Sequence, residues 1–266
     1  MVMKVKDFAK IMQKIAPENL KESYDNVGLI VGDEEKEVHT VLLALDCTLD
    51  VIEEAAKENA ELIFSHHPLI FRKPSSVTTG TLQGRKIMEL IKKDISLYSA
   101  HTNFDSVCGG LNDSLMELLE LKGSAIMEKS KADDKSGIGR IVDVEETTLE
   151  ELIEKVKKSL KINCLRFTGE IDKKVKRIAV INGSGQDYFD YALKMGADVV
   201  ITGDTTYHFA SDYTEMNLSI IDAGHFDTEW MAFLKAAKRV EEEVKKIDNN
   251  VSFKVASPTR SPYKYI

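Results

Sequence analysis

The sequence predicts an α/β protein of two interleaved parts with mostly parallel sheets. Three observations carry this. Apolar, strand-like runs alternate with helical segments along almost the whole chain, the pattern of right-handed βαβ crossovers. Four of those strands run straight into clusters of His, Asp and Glu, at 61–67, 95–105, 199–208 and 219–229. Open α/β sheets build their sites at the carboxyl ends of parallel strands. A polar stretch at 128–139 interrupts the alternation and marks a boundary.

The elements follow in order. Val5, Phe8, Ile11, Met12 and Ile15 lie at helical spacing, and the helix stops before Pro17. Residues 24–32 read as a turn and a short strand. Val38 to Asp46 is a near-continuous apolar strand, of the kind buried on both faces of a parallel sheet. A helix at 49–59, a strand at 62–65, a helix at 82–92, a strand at 95–100 and a helix at 112–121 complete the first run. Beyond the polar stretch come a strand at 138–144 and a helix at 148–160, with Thr147 or Thr148 as N-cap. A short strand at 165–168 follows. Strand and helix then alternate at 176–181, 187–195, 198–202, 207–215 and 218–222. A long helix at 227–246 and a strand at 251–256 close the chain.

Composition limits the function. The chain has 266 residues, 43% hydrophobic and 30% charged, enough for a real core in one large or two modest domains. Its net charge of −8, with no basic block, argues against a nucleic-acid-binding surface. The N-terminus lacks an apolar signal segment, and no run approaches the roughly 20 apolar residues that span a bilayer. The expected location is cytoplasmic, without membrane attachment. Cys47, Cys108 and Cys164 are an odd number of widely spaced thiols, as expected of free cysteines in a reducing compartment. Cys108 follows one of the clusters.

Five of the six histidines sit at the strand ends, and His39 alone lies elsewhere. Imidazole and carboxylate without thiolate suit Zn, Fe or Mn. His225 and Glu229 are four apart, so a helix entered at Gly224 puts both on one face. His101 and Asp105 share that spacing on what reads as a loop. His66 and His67 are adjacent, and Pro68 forces His67 out of the α region. A turn there aims the two rings at different ions. One ion takes three or four protein ligands, so this many candidates favours a dinuclear site. Each residue taken singly also has a bland reading. His101 can bond a backbone carbonyl, Asp105 and Asp227 can serve as caps, and Glu229 can lie on an exposed helix face. Their joint occurrence at several strand ends decides for the metal. The Asn182-Gly183-Ser184-Gly185 segment, between a strand and a helix, offers N–H groups to a phosphate or makes a tight turn.

Asp25-Asn-Val-Gly-Leu, Ser65-His-His-Pro-Leu-Ile-Phe71, Ala100-His-Thr-Asn-Phe-Asp105, Thr202-Gly-Asp-Thr-Thr-Tyr-His208 and Asp222-Ala-Gly-His-Phe-Asp-Thr-Glu229 together resemble, in order, the signatures of the NIF-three-like (NIF3-like) dinuclear metal protein family, also called GTP cyclohydrolase I type 2. Tyr24 stands where that family often has Trp, and the length matches its short form without an extra mid-chain domain.

The resemblance implies a ligand set. His66 and Asp105 would hold one divalent ion, His67 and His225 the other, and Glu229 would bridge them. His101 and His208 would move protons or bind substrate. It implies a toroidal homohexamer. It also implies a small-molecule nucleotide substrate, GTP, opened at C8 to give formate. Water activated by a metal ion and a nearby histidine suit that hydrolysis. A two-metal phosphoesterase and a non-enzymatic metal-binding regulatory or scaffold protein are the alternatives. For Glu229 to reach His66 and Asp105, the expected division is a metal-binding α/β domain of 1–127 plus 223–266 and an inserted α/β domain of 128–222.

Overall fold

The structure, a computed structural model, describes residues 2–264. Residues 1, 265 and 266, which the sequence assigned to the first domain, lie outside the described residues. The chain divides into two compact units. One comprises the described residues up to Phe104 with Ala237–Arg260, and the other comprises Asp105–Ala236 with the described residues from Ser261. These limits differ from the division expected at 127/128 and 222/223. The reason is local. The polar stretch at 128–139 is the turn of a hairpin inside one sheet, where Ala125 pairs with Ile141 and Lys129 with Gly137.

The first unit opens with α1 (Val5–Ile15), whose buried Val5, Phe8, Ile11, Met12 and Ile15 form one face. Its strands are β1 (Gly28–Val31), β2 (Thr40–Ala44), β3 (Leu62–Ser65) and β4 (Ser96–Ser99), with α2 (Leu49–Lys57) and α3 (Leu82–Lys92) between them. Thr48 and Thr81 cap α2 and α3, each accepting a backbone N–H through its hydroxyl. The β2–β3 and β3–β4 pairs are parallel, and β1 lies antiparallel on β4. Every residue of β3 and β4 is buried, as a central parallel strand requires.

The short helix α4 (Thr102–Ser106) comes next in the chain. The loop expected for His101–Asp105 is therefore a single helical turn, too short to show a periodicity of its own. The second unit then builds α5 (Leu111–Leu118), β5 (Ala125–Lys129), β6 (Gly137–Thr148), α6 (Leu149–Leu160) and β7 (Arg166–Phe167). It continues through β8 (Lys174–Ser184), α7 (Phe189–Lys194), β9 (Val199–Gly203), α8 (Tyr207–Glu215) and β10 (Ser219–Asp222). Helix α6 begins with a Thr148–Glu151 capping box. The sheet order is β5-β6-β8-β9-β10-β7. Its centre, β8-β9-β10, is parallel and flanked by antiparallel partners. Helix α9 (His225–Ile247) follows β10, and β11 (Ser252–Val255) joins the first sheet parallel to β2, giving the order β1-β4-β3-β2-β11. Among the described residues, no helix is long and apolar enough to cross a membrane.

Candidate metal centre

In the first unit the histidines arrive from the ends of β3 and β4. The ladder continues one step past β3, with His66 N–H donating to the Ala44 carbonyl (3.3 Å) and His67 N–H to that of Leu45 (2.9 Å). Ser65 ties the turn from within, its hydroxyl donating to the His67 carbonyl at 2.9 Å. His66, His67 and His101 each place a ring nitrogen so that the three atoms lie within 4.8 Å of one another. The rings stand 5.1–5.5 Å apart with planes at 43–83°, so none of them stacks on another. His66 is fully buried, His67 and His101 partly so.

The other nitrogen of each ring is tied to an oxygen. His66 Nδ1 donates to the Ala100 carbonyl, His67 Nδ1 faces Asp46 Oδ1 and His101 Nδ1 faces Asp25 Oδ1, all at 2.9 Å. A ring nitrogen against an oxygen acceptor carries the proton, which leaves the Nε2 lone pair to the site. Metal-binding histidines are oriented in this way. Asp25 also accepts from the Thr102 N–H (3.0 Å) and hydroxyl (2.5 Å). Burial alone would raise its carboxyl, but the bonds from His101 and Thr102 outweigh burial and hold it well below the usual carboxylate range.

In the second unit, Gly224 takes φ +91° and α9 starts at His225, two residues before the start expected at 227. His225 and Glu229 therefore share one helical face, with Nε2 3.0 Å from Glu229 Oε2. On the far side of the ring, Nδ1 faces Asp204 Oδ2 at 2.9 Å. Asp204, the residue after β9, takes the left-handed region at φ +53°, a strained conformation of the kind found at functional sites. Glu229 is 3% exposed and Asp105 8%. Asn182 Nδ2 donates to Asp105 Oδ1 at 2.8 Å, and Asn112 Nδ2 donates to the Asp105 carbonyl at 3.1 Å.

The Asn182–Gly185 segment does not present a phosphate cradle. Gly183 N–H donates to the Thr228 hydroxyl and Gly185 N–H to the Thr202 hydroxyl, both at 3.0 Å. Strand β8 runs on to Ser184, and its register against β9 shifts between Val180 and Ser184. That irregularity turns Asn182 toward Asp105 and brings Gly183 against Glu229, the re-aiming that β-bulges perform. A Cβ on Gly183 would meet Glu229 Oε1 at 2.1 Å, so glycine is needed for space as well as for its φ of +61°.

The structure thus groups His66, His67 and His101 in one unit, and His225 with Glu229 in the other, where Asp105 is held by Asn182. His208 lies exposed on the first turn of α8, its ring edge-on to Tyr207. Cys108 is exposed and belongs to neither histidine group. Sequence reasoning missed Asp25, Asp46, Asp204, Asn182 and Thr228 as supports. Asp204 and Asp25 stood inside the quoted motifs, and Asp46 just beyond the end of β2 was the available signal for the third carboxylate.

The fold and donor sets define a mixed α/β protein whose His and carboxylate clusters can hold a metal ion. The sequence model of the Duf34/NIF3 (NGG1p interacting factor 3) family matches residues 3–262, and the chain belongs to that family. It is 54% identical to the GTP cyclohydrolase 1 type 2 homolog of Clostridium perfringens, over 99% of this chain and 100% of that one. Identity to the protein of the same name from Clostridium acetobutylicum is 49% over 100% of both. Among solved structures, the Bacillus cereus protein related to NIF3 superposes with a TM-score of 0.93 at 25% identity, covering 100% of both chains. A Staphylococcus aureus hypothetical protein reaches 0.91 at 32% identity, again over 100% of both.

Proposed function

We propose that this chain is a hydrolase of a purine nucleotide that works with two divalent metal ions, of Zn, Fe or Mn type. In this reading His66 and Asp105 would hold one ion and His67 and His225 the other, with Glu229 as a ligand shared by both. The observation that carries it is the orientation of the four rings. Each of His66, His67, His101 and His225 has Nδ1 held by an oxygen acceptor at 2.9 Å, so each offers Nε2. The donor chemistry fits. Neutral imidazole and ionised carboxylate are what such ions take, and a carboxylate beside His225 Nε2 calls for a cation or a proton between them. When bound, the ions supply Lewis-acid polarisation and lower the pKa of water.

The chain's own residues do the rest. His101 handles the proton at Nε2, and Asp25 behind it stabilises the charged ring, as a carboxylate–histidine pair does in general acid–base catalysis. His208, exposed at the start of α8, is the second candidate for substrate contact. The name shared by the Clostridium relatives supports GTP as the nucleotide, and ring opening at C8 with formate as a product is the reaction the sequence resemblance implies. We further propose the ring-shaped homohexamer that the sequence resemblance implies, which the mass in solution tests.

The decisive experiment measures metal per chain on protein purified without added metal, then formate from GTP on the same sample. Two equivalents with formate release that chelation abolishes are expected. Turnover surviving complete chelation would overturn the metal-dependent hydrolase. Two equivalents without turnover would shift the reading to a phosphoesterase, seen as phosphate release, or to a metal-binding scaffold.

A further inference from the structure

Most aromatic rings of the first unit are buried. Phe8, Phe64, Tyr98 and Phe104 are at most 1% exposed, and they pack edge-on or tilted against one another at 5.4–6.3 Å. Two of its Phe and Tyr rings stand exposed instead. Tyr24 is 61% exposed and Phe71 42%, although they touch each other with centroids 6.1 Å apart and planes at 57°. Phe71 also meets the His101 ring edge-on at 6.3 Å. Tyr24, Phe71 and His101 therefore form a row that leads from solvent to the histidine cluster.

The backbone under this row is fixed. Asn26 Nδ2 donates to the Ile70 carbonyl at 2.5 Å, and Gln83 Nε2 to that of Leu69 at 3.0 Å. A ledge held in place before a ligand arrives loses little freedom when one binds. Arg72 and Lys73 follow Phe71 directly and are exposed. Among the described residues neither enters a hydrogen bond or an ion pair, so both charges are available. On a chain of net charge −8, two uncommitted cations beside an exposed aromatic pair form a local exception.

We propose that Tyr24 and Phe71 are the base-binding platform of this site, on which the planar ring of a purine nucleotide lies, with Arg72 and Lys73 taking its phosphates. The assignment rests on the nucleotide reading above and names the residues that recognise the substrate. Ring-on-base stacking is tolerant of which base is bound, and the selectivity it gives is for a planar heteroaromatic over a bare sugar phosphate.

The test is equilibrium binding to the metal-loaded chain of two probes, GTP and ribose 5-triphosphate, which carries the charge without the base. The wild-type chain should bind GTP more tightly. Tyr24→Ala and Phe71→Leu should each weaken GTP by about 10-fold, the scale of one lost stacking contact. Both should leave ribose triphosphate binding and metal content unchanged. Tyr24→Trp should keep GTP binding and report it by quenching of the new indole. The Arg72→Ala, Lys73→Ala double variant should weaken both probes. Unaltered GTP affinity in the Tyr24 and Phe71 variants would overturn the platform and leave the nucleotide reading intact. Unaltered affinity with a changed mass in solution would overturn it in favour of a contact between copies of the chain. A wild-type chain that binds no GTP would overturn both readings together.

Discussion

Gly183→Ala separates the folding cost of a backbone conformation from the functional cost of moving one carboxylate. Gly183 sits at φ +61°, where an L side chain costs about 1–2 kcal/mol. Its new Cβ would also stand 2.1 Å from Glu229 Oε1 and 3.0 Å from Cδ. Relief to an ordinary contact of roughly 3.5 Å moves that oxygen by roughly 1.4 Å. The atom is the far end of a flexible side chain, which gives way more cheaply than backbone would. Metal coordination, however, tolerates only about 0.2 Å. Gly123→Ala is the matched control, because it has φ +78° and nothing within 4 Å of the added methyl. Both variants should lose about 1–2 kcal/mol, read as a fall of about 2–8 °C in the melting temperature of chelator-treated protein. Only Gly183→Ala should also lose metal affinity, by about 10- to 100-fold in competition with a chelating dye. Wild-type metal affinity in Gly183→Ala would refute the reasoning.

Four further outcomes are expected. Asn182→Ala takes one donor from the buried Asp105 carboxylate and should cost about 1–3 kcal/mol in urea unfolding, whereas an unchanged midpoint would show that the bond at 2.8 Å carries nothing. Glu229→Gln keeps the shape and gives up the charge, so it should deplete both ions; loss of one equivalent alone contradicts a bridging role. Asp25→Asn tests a sign. A carboxyl held below its usual range stabilises the fold above about pH 4 and stops doing so as pH falls through its lowered value, so the wild-type advantage of about 1–3 kcal/mol at pH 6 should shrink steadily in acid. An advantage that grew on acidification would reverse the assignment. Burial pushes the Cys47 thiol up to about 12, while Cys108 and Cys164 are exposed. A thiol reagent at pH 8 should therefore label two of the three cysteines in the native chain and Cys47 only on unfolding.

Much of this was legible in the sequence, for reasons that differ by element. Helices α1 and α3 begin and end where their apolar periodicity and the Pro17 stop place them. Strands β3, β9 and β10 were visible because a fully buried parallel strand is a continuous apolar run. The histidines were visible because they cluster where those runs stop. His39, set apart by sequence, is exposed and 3.9 Å from Glu37. What was not legible depends on contacts remote in sequence. The polar stretch at 128–139 looks like a linker until β6 is seen to fold back on β5. The bulge in β8 has no local signature beyond its glycines, yet it decides that Asn182 serves Asp105, 77 positions away. Asp204 supports His225 only because it occupies a left-handed turn that Asp tolerates, which a residue count does not show.

The carboxylates behind the histidines argue against a merely structural reading of these clusters. Several acids elsewhere in the chain are paired with strong cations. Asp113 and Asp143 each take the fork of an arginine, Arg140 and Arg177, and Glu35 sits between Lys4 and Lys6. Asp25 and Asp204 instead face imidazole nitrogens. As a partner for a stability-giving ion pair, a neutral imidazole is poorer than Arg or Lys, and for Asp25, which is buried, a carboxylate with no full positive charge beside it is costly. The arrangement makes physical sense once the imidazole passes the carboxylate's charge on to something at its other nitrogen, where a stronger base makes a better donor. His225 shows the consequence most directly. It has Asp204 on Nδ1 and Glu229 on Nε2, so one ring separates two acids, and the Nε2 side is in register only if a cation or a proton fills it. A site that places carboxylate, imidazole and lone pair in that order, at the ends of strands too buried to move, is organised to receive positive charge from outside the chain.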